Sequence, residues 1–277
     1  MPSLKAAIER LASLGEVEHN PEARARFLEF REALTSGVIR AAEKRGAQWT
    51  VNTWVKQGIL LGFRLGELSQ MGDAGPLVFV DKDTFPARRF SVEDRVRLVP
   101  GGSSVRTGAY VAPSVICMPP MFINVGAYVD EGTMVDSHAL VGSCAQVGKR
   151  VHLSAGAQIG GVLEPINAAP VIVEDDVLVG GNCGIYEGTL VREGAVLGAG
   201  TILTRSTPLY DIVRGRIYRA TGEKGLEVPE NAVVVPGARA VAHGKAADWK
   251  LSLYTPVIVK YRDEKTDERI ELEDLLR

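Results

Sequence analysis

Cysteine is scarce in this chain of 277 residues, with three thiols at positions 117, 144 and 183. An odd and small number rules out a disulfide framework. It fits buried thiols in a reducing compartment, so a cytoplasmic location is expected. Charge of one sign is also missing: 32 Lys and Arg stand against 34 Asp and Glu, a net of −2. That balance gives no reason to expect a nucleic-acid partner. No apolar run reaches the roughly 20 residues that cross a bilayer, so no membrane span is expected. The opening MPSLKAAIERLASLGEVE reads as an amphipathic helix, without the continuous apolar centre of a secretory signal. Histidine is limited to four residues, which leaves little for a metal centre.

What is present is a beat of six. Val105, Val111, Cys117, Ile123, Val129, Val135, Val141, Val147, Leu153 and Ile159 follow at equal intervals. The beat resumes at Val173, Val179, Ile185, Val191, Leu197 and Leu203. Helices repeat near 3.6 residues and single strands at 2, so neither explains six. A parallel β-helix does, because each flat side needs a short strand, a turn and one inward side chain. Four places on, the residue is often small (Ala127, Thr133, Ala139, Ala145, Ala157), as a narrow corner requires. Glycine often precedes that corner, where a left-handed backbone costs least.

Three regions follow. Residues 1–95 carry no hexads and read as an α-rich N-terminal domain, with helical spacing through Phe27, Phe30, Leu34 and Val38 that breaks near Gly37. Trp49–Leu65 reads as a turn entering a second apolar helix, and Pro76–Phe85 as a short strand and its turn. The β-helix spans 96–241, with a late echo at Val228 and Val234. It is interrupted by LEPINAAPV, where the step from Ile159 to Val173 is fourteen residues against the twelve of two hexads. A longer excursion leaves the coil at about 207–225. The C-terminal extension, 242–277, reads as a strand, a charged turn and a short helix.

Hexads of this kind resemble the left-handed β-helix of hexapeptide-repeat proteins, many of which are acyl-CoA-dependent acyltransferases. A narrower likeness lies in NVGAYVDEGTMVDSHALVGSCAQVG (Asn124–Gly148) followed by VHLSAGAQIGGVLEP, which resembles the tetrahydrodipicolinate N-succinyltransferase family. It extends to RAAEKRGAQWTVNTWVKQGILLGFR, RLVPGGSSVRTGAYVA and SLYTPVIVKY, which lie largely outside the repeat. The resemblance implies transfer of a succinyl group from succinyl-CoA, a co-substrate and not a resident cofactor, to the amine of tetrahydrodipicolinate in lysine synthesis. It also implies a homotrimer with the active site between neighbouring subunits.

The same resemblance assigns roles. Asp136 follows the inward Val135, so alternation turns it outward; the matching family aspartate contacts the substrate amine, where a carboxylate can orient it and accept its proton. Arg97 matches a substrate-binding arginine, and a guanidinium fork suits a dicarboxylate. Gly184 departs from the family, which has a second active-site glutamate there; either Glu164 or Glu187 substitutes, with Glu164 the catalytic candidate, or Asp136 carries the work with a bound water, or the chain uses a related acyl donor or acceptor. For CoA, Gly180, Gly181 and Ala199 offer close backbone approach and Arg205 offers charge. Three rivals remain: an acetyl-CoA-dependent enzyme on the same substrate, a zinc enzyme of the γ-carbonic-anhydrase type, and a non-catalytic assembly protein. The zinc rival is weakened because His138 and His152 occupy different hexad positions, and no metal site is expected.

Overall fold

The computed structural model describes residues 3–72, 79–222 and 224–262. The six-residue beat becomes a left-handed parallel β-helix whose coils are triangular in section. Its first face stacks Ser104–Val105, Phe122–Ile123, Leu140–Val141, Gln158–Ile159, Gly184–Ile185 and Ile202–Leu203. The second stacks Tyr110–Val111, Tyr128–Val129, Gln146–Val147, Ile172–Val173, Leu190–Val191 and Glu227–Val228. The third begins with Arg97–Leu98 and climbs through Ile116–Cys117, Met134–Val135, His152–Leu153, Leu178–Val179 and Val196–Leu197. The second residue of each pair from Val105 to Leu203 points inward and is buried.

Most sides turn at the third residue after their inward one. Gly108, Gly126, Gly132, Gly156, Gly194 and Gly200 have positive φ there. So do Ser114, His138, Cys144, Arg150, Asp176, Asn182 and Asn231, at φ between 53° and 68°. The turn thus demands the left-handed conformation even where the sequence supplies no glycine.

The break at 160–170 corrects the sequence reading. Ile159 stacks on the first face and Val173 on the second, which is the very next side. The fourteen-residue step is therefore one side carrying an eight-residue insertion, not two stretched hexads. The second excursion is likewise inserted between consecutive faces, from Leu203 to Val228. It contains a hairpin, Leu209–Asp211 against Arg216–Tyr218. Its first strand pairs with Ser252–Tyr261, which pairs antiparallel with Ala232–Ala240. The third face thereby grows to ten strands that cover the upper end of the coil. The extension is continuous with the β-helix, with a short helix at Gly244–Asp248 between its strands. The charged turn and helix expected beyond Arg262 lie outside the described residues.

Among the described residues, three α-helices precede the coil, α1 (Leu4–Ala12), α2 (Pro21–Thr35) and α3 (Thr53–Leu65). The side chain of Asn20 accepts the Ala23 N–H at 3.0 Å and Pro21 occupies the first turn, a paired start signal for α2. The apolar stripe of α2 stops at Leu34. The chain reverses at Gly37 (φ 76°), and Val38 is 79% exposed, contrary to its expected place on the stripe. Trp49 lies not in a turn but in a hairpin, Ala42–Arg45 against Gln48–Val51. The strand expected within 76–85 is Phe79–Lys82, paired with Leu68–Met71; residues 73–78 lie outside the described residues. Among the described residues no helix is long and apolar enough to cross a membrane.

This domain packs on the edge where the first face turns into the second. Val125 and Cys144, at that edge, belong to the same apolar cluster as Phe27, Phe30 and Ile59. Burial pushes the Cys117 and Cys144 thiols up to about 12, so both behave as small apolar groups. Polar clamps hold the outside. Arg40 lies over the Tyr128 ring at 3.5 Å and donates to Gln146 at 3.0 Å. The buried Glu174 accepts from Trp49 at 2.8 Å and pairs with Lys44 at 3.0 Å and Arg192 at 3.3 Å. Burial alone would raise the Glu174 carboxyl, but these donors hold it below its usual range.

Glu174→Ala is expected to cost about 1–3 kcal/mol, because it removes the acceptor of the half-buried Trp49 and Arg192 donors, and the fall should appear as a lower urea midpoint. In the parent protein the Glu174 contribution is full above the ordinary carboxylate range. It fades as pH falls through the lowered folded-state value. An urea midpoint in Glu174→Ala that declines with acid as steeply as in the parent would remove Glu174 from that dependence.

Candidate active site

The residues named from the sequence fall on two edges of the first face. Where the third face turns into the first, Asp136, Gly180, Gly181 and Ala199 share one edge. Asp136 follows the strand Met134–Val135, and Gly180 follows Leu178–Val179 two coils higher. At roughly 4.8 Å per coil that is about 10 Å along the edge. Arg97 starts the third face two coils below Asp136 and is exposed. Arg97, Asp136 and Gly180 therefore share one outer surface.

The two glycines at this edge differ. A Cβ at Gly180 would lie 2.6 Å from the Ala199 nitrogen and from the Leu197 oxygen, so coil packing alone requires glycine. At Gly181 the nearest such atom is the Ala155 oxygen at 3.4 Å, which leaves room for a side chain. Asp136 is half-buried, and its Oδ1 accepts the Ser137 N–H at 2.7 Å. Arg106, the other arginine near the coil entry, is committed to an ion pair with Asp81.

Glu164 and Arg205 sit on the opposite edge, where the first face turns into the second. They line a cavity of about 590 Å³ with Gly160, Pro165, Tyr186 and Glu187. Its wall is the inserted loop 160–170 and its rim the base of the second excursion. Glu187 Oε2 accepts the Arg205 backbone N–H at 2.7 Å, and the Arg205 guanidinium donates to the Gly222 carbonyl. One chain thus does not bring Arg205 together with Gly180, Gly181 and Ala199, the other CoA candidates, nor Glu164 together with Asp136.

Gly184 has a structural cause that its neighbours in sequence conceal. The Tyr186 ring lies back over it: a Cβ at Gly184 would collide with the ring edge and come within 2.9 Å of the hydroxyl. A Cβ at Gly160 would lie 2.9 Å from the same ring. Two glycines cradle one phenol that lines the cavity, and a larger side chain at Gly184 would have to displace the ring. The sequence reading looked here for a replacement carboxylate, a bound water or a different substrate, and missed Tyr186.

Lys56 was also missed, because it sits inside an apolar helix as KQGILLG. Its side chain is fully buried and its ammonium donates to the Ala168 carbonyl at 2.6 Å. Burial pushes this ammonium below the usual lysine range. The bond ties α3 directly to the inserted loop that carries Glu164.

Coil, inserted loop and glycine-lined edges define a hexapeptide-repeat protein. A model described as the hexapeptide repeat of succinyl-transferase matches residues 170–205, and one described as the tetrahydrodipicolinate N-succinyltransferase N-terminal region matches residues 3–65. Two curated relatives bear the name 2,3,4,5-tetrahydropyridine-2,6-dicarboxylate N-succinyltransferase. The protein from Acinetobacter baylyi is 41% identical over 279 residues, covering 99% of this chain and 97% of that one. The protein from Nitrobacter hamburgensis is 45% identical over 253 residues, covering 89% and 87%. The chain belongs to the tetrahydrodipicolinate N-succinyltransferase family.

Gly184→Glu is expected to destabilise the fold by roughly 1–3 kcal/mol, the range for overpacking. Adding Tyr186→Ala in the same chain should recover most of that loss in thermal unfolding. An unchanged melting temperature in the single variant would show that the ring moves aside without cost.

Proposed function

We propose that the protein transfers the succinyl group of succinyl-CoA to the amine of tetrahydropyridine-2,6-dicarboxylate, taken as open-chain 2-amino-6-oxopimelate, in the diaminopimelate route to lysine. The observation that carries this is identity sustained over 99% of the chain, through regions that the repeat does not constrain. The amine nitrogen attacks the thioester carbonyl directly. Asp136 accepts the amine proton as the C–N bond forms, and the C–S bond breaks with its electron pair on sulfur. Arg97, on the same surface, takes a substrate carboxylate. Gly181 and Ala199 receive the pantetheine arm along the edge, and Glu164 and Arg205 face the reaction from the other side.

The working unit in this reading is a homotrimer. Asp136 and Glu164 occupy opposite edges of the first face, so one chain holds half of the constellation at each. A threefold arrangement that sets one edge against a neighbour's opposite edge completes the site. Three unpaired, buried cysteines fit the reducing cytoplasm.

The test is thiol release from purified protein given 2-aminopimelate with succinyl-CoA and, separately, acetyl-CoA. Amine-dependent release that is faster with succinyl-CoA is expected. Preference for acetyl-CoA would move the protein to the sister activity, and no release with either would return the non-catalytic reading. Asp136→Asn should keep the fold and bind CoA while turnover falls about 10²- to 10⁴-fold, the usual worth of a general base.

A further inference from the structure

Asp130 and Asp136 occupy the same slot on successive sides of one coil, and each accepts the next residue's N–H, at 2.9 and 2.7 Å. What separates them is the coil above. The strand paired above Asp130's own begins with Gln146, whose amide is engaged by Arg40 and by the Cys144 carbonyl. The strand paired above Asp136's begins with His152. Its Nε2 lies 4.0 Å from Asp136 Oδ2, the carboxylate oxygen opposite the one held by Ser137. Met134 below and Leu178 above His152 are apolar, so Asp136 is the acidic group that this stretch of the face presents to the ring.

We propose that His152 is the positioning residue of Asp136, holding Oδ2 toward the substrate amine and relieving it of the proton it accepts. This rests on Asp136 being the carboxylate that meets the amine. As nitrogen bonds to the acyl carbon and sulfur leaves, the amine proton passes to Asp136. A neutral imidazole protonated on Nδ1 has a lone pair on Nε2 and is a stronger base than a carboxylate. The proton therefore moves on to His152, the carboxylate is restored, and the buried imidazolium returns the proton by way of Asp136 to the released thiolate. The 4.0 Å separation is that of a site without substrate, where catalytic contacts are commonly long and tighten on binding.

Kinetics of His152→Ala, His152→Gln, Asp136→Asn and the double variant Asp136→Asn/His152→Ala test this, with thermal unfolding and succinyl-CoA binding checked for each. His152→Ala should lower kcat about 100-fold, the cost of misplacing a reacting group by an ångström, and leave the KM for succinyl-CoA unchanged. Added imidazole should restore part of the loss. His152→Gln should fold and keep more turnover than His152→Ala, because its amide can still hold Oδ2. The double variant should be no slower than Asp136→Asn alone, since His152 acts only through Asp136. Losses that multiply in the double variant, or a fully active His152→Ala beside an inactive Asp136→Asn, would overturn the role of His152 alone. A fully active Asp136→Asn would overturn the catalytic assignment and this inference with it.

Discussion

One apolar side chain per six residues, set at a fixed depth inside a narrow triangular coil, is the constraint from which the rest follows. Each strand is only two residues long, so a side has almost no local stability and depends on the coils above and below it. That dependence makes register strict. A shift by one residue would turn Val135 outward and Asp136 into the core, where an unpaired carboxylate costs several kcal/mol. The turn three residues on is equally demanding, as left-handed φ at Cys144, Arg150 and Asp176 shows. Extra residues are tolerated only between sides, where they leave stacking intact. The two long insertions obey this rule, and both leave from the same edge.

That edge is also where the helical domain sits, and the coincidence has a physical consequence. An inserted loop on a smooth coil carries its own backbone groups and few apolar anchors. Here Lys56 reaches out of α3 to the Ala168 carbonyl, and α3 itself is seated by Val125 and Cys144. The ammonium is buried against its own electrostatic preference, so the contact is better understood as fixing the loop than as adding stability. Glu164 is thus positioned by residues more than a hundred places earlier in the chain.

The coil was legible because its rule is local: one inward residue, one turn, six positions. The apolar stripe of α2 was legible for a similar reason, up to the point where Gly37 reverses the chain. The hairpin at 42–51 was not, since AEKR and QWTV bury little and alternate weakly, and their pairing depends on a turn at Gly46. At the site the contrast is sharper. Outward alternation places Asp136 from sequence alone, but nothing in the spacing distinguishes Gly180, required by packing, from Gly181, where space is open. Gly184 reads as a lost carboxylate in one dimension; in three it is the room that Tyr186 needs. Lys56 was hidden by its apolar surroundings, which are the reason its charge has to find a carbonyl.

Outer-surface chemistry on such a coil is organised by stacking, so residues about eighteen apart in sequence become neighbours. Asp136 meets the imidazole of His152 in this way, and Gly180 meets Ala199. A single chain can therefore build long, one-sided rows of groups, but it cannot wrap them around a substrate, because each face is flat. Concavity has to come from something that leaves the coil or from another coil. The inserted loop supplies some of it at the edge that carries Glu164. At the edge that carries Asp136 the sides from Val135 to Val141, Leu153 to Ile159 and Val179 to Ile185 keep the plain step of six, and the row of Asp136, His152 and Gly180 lies along a flank with no inserted loop beside it. The asymmetry between the two edges is what makes a neighbouring subunit a chemical requirement of the proposed reaction: the walled edge of one chain can enclose the row presented by the next.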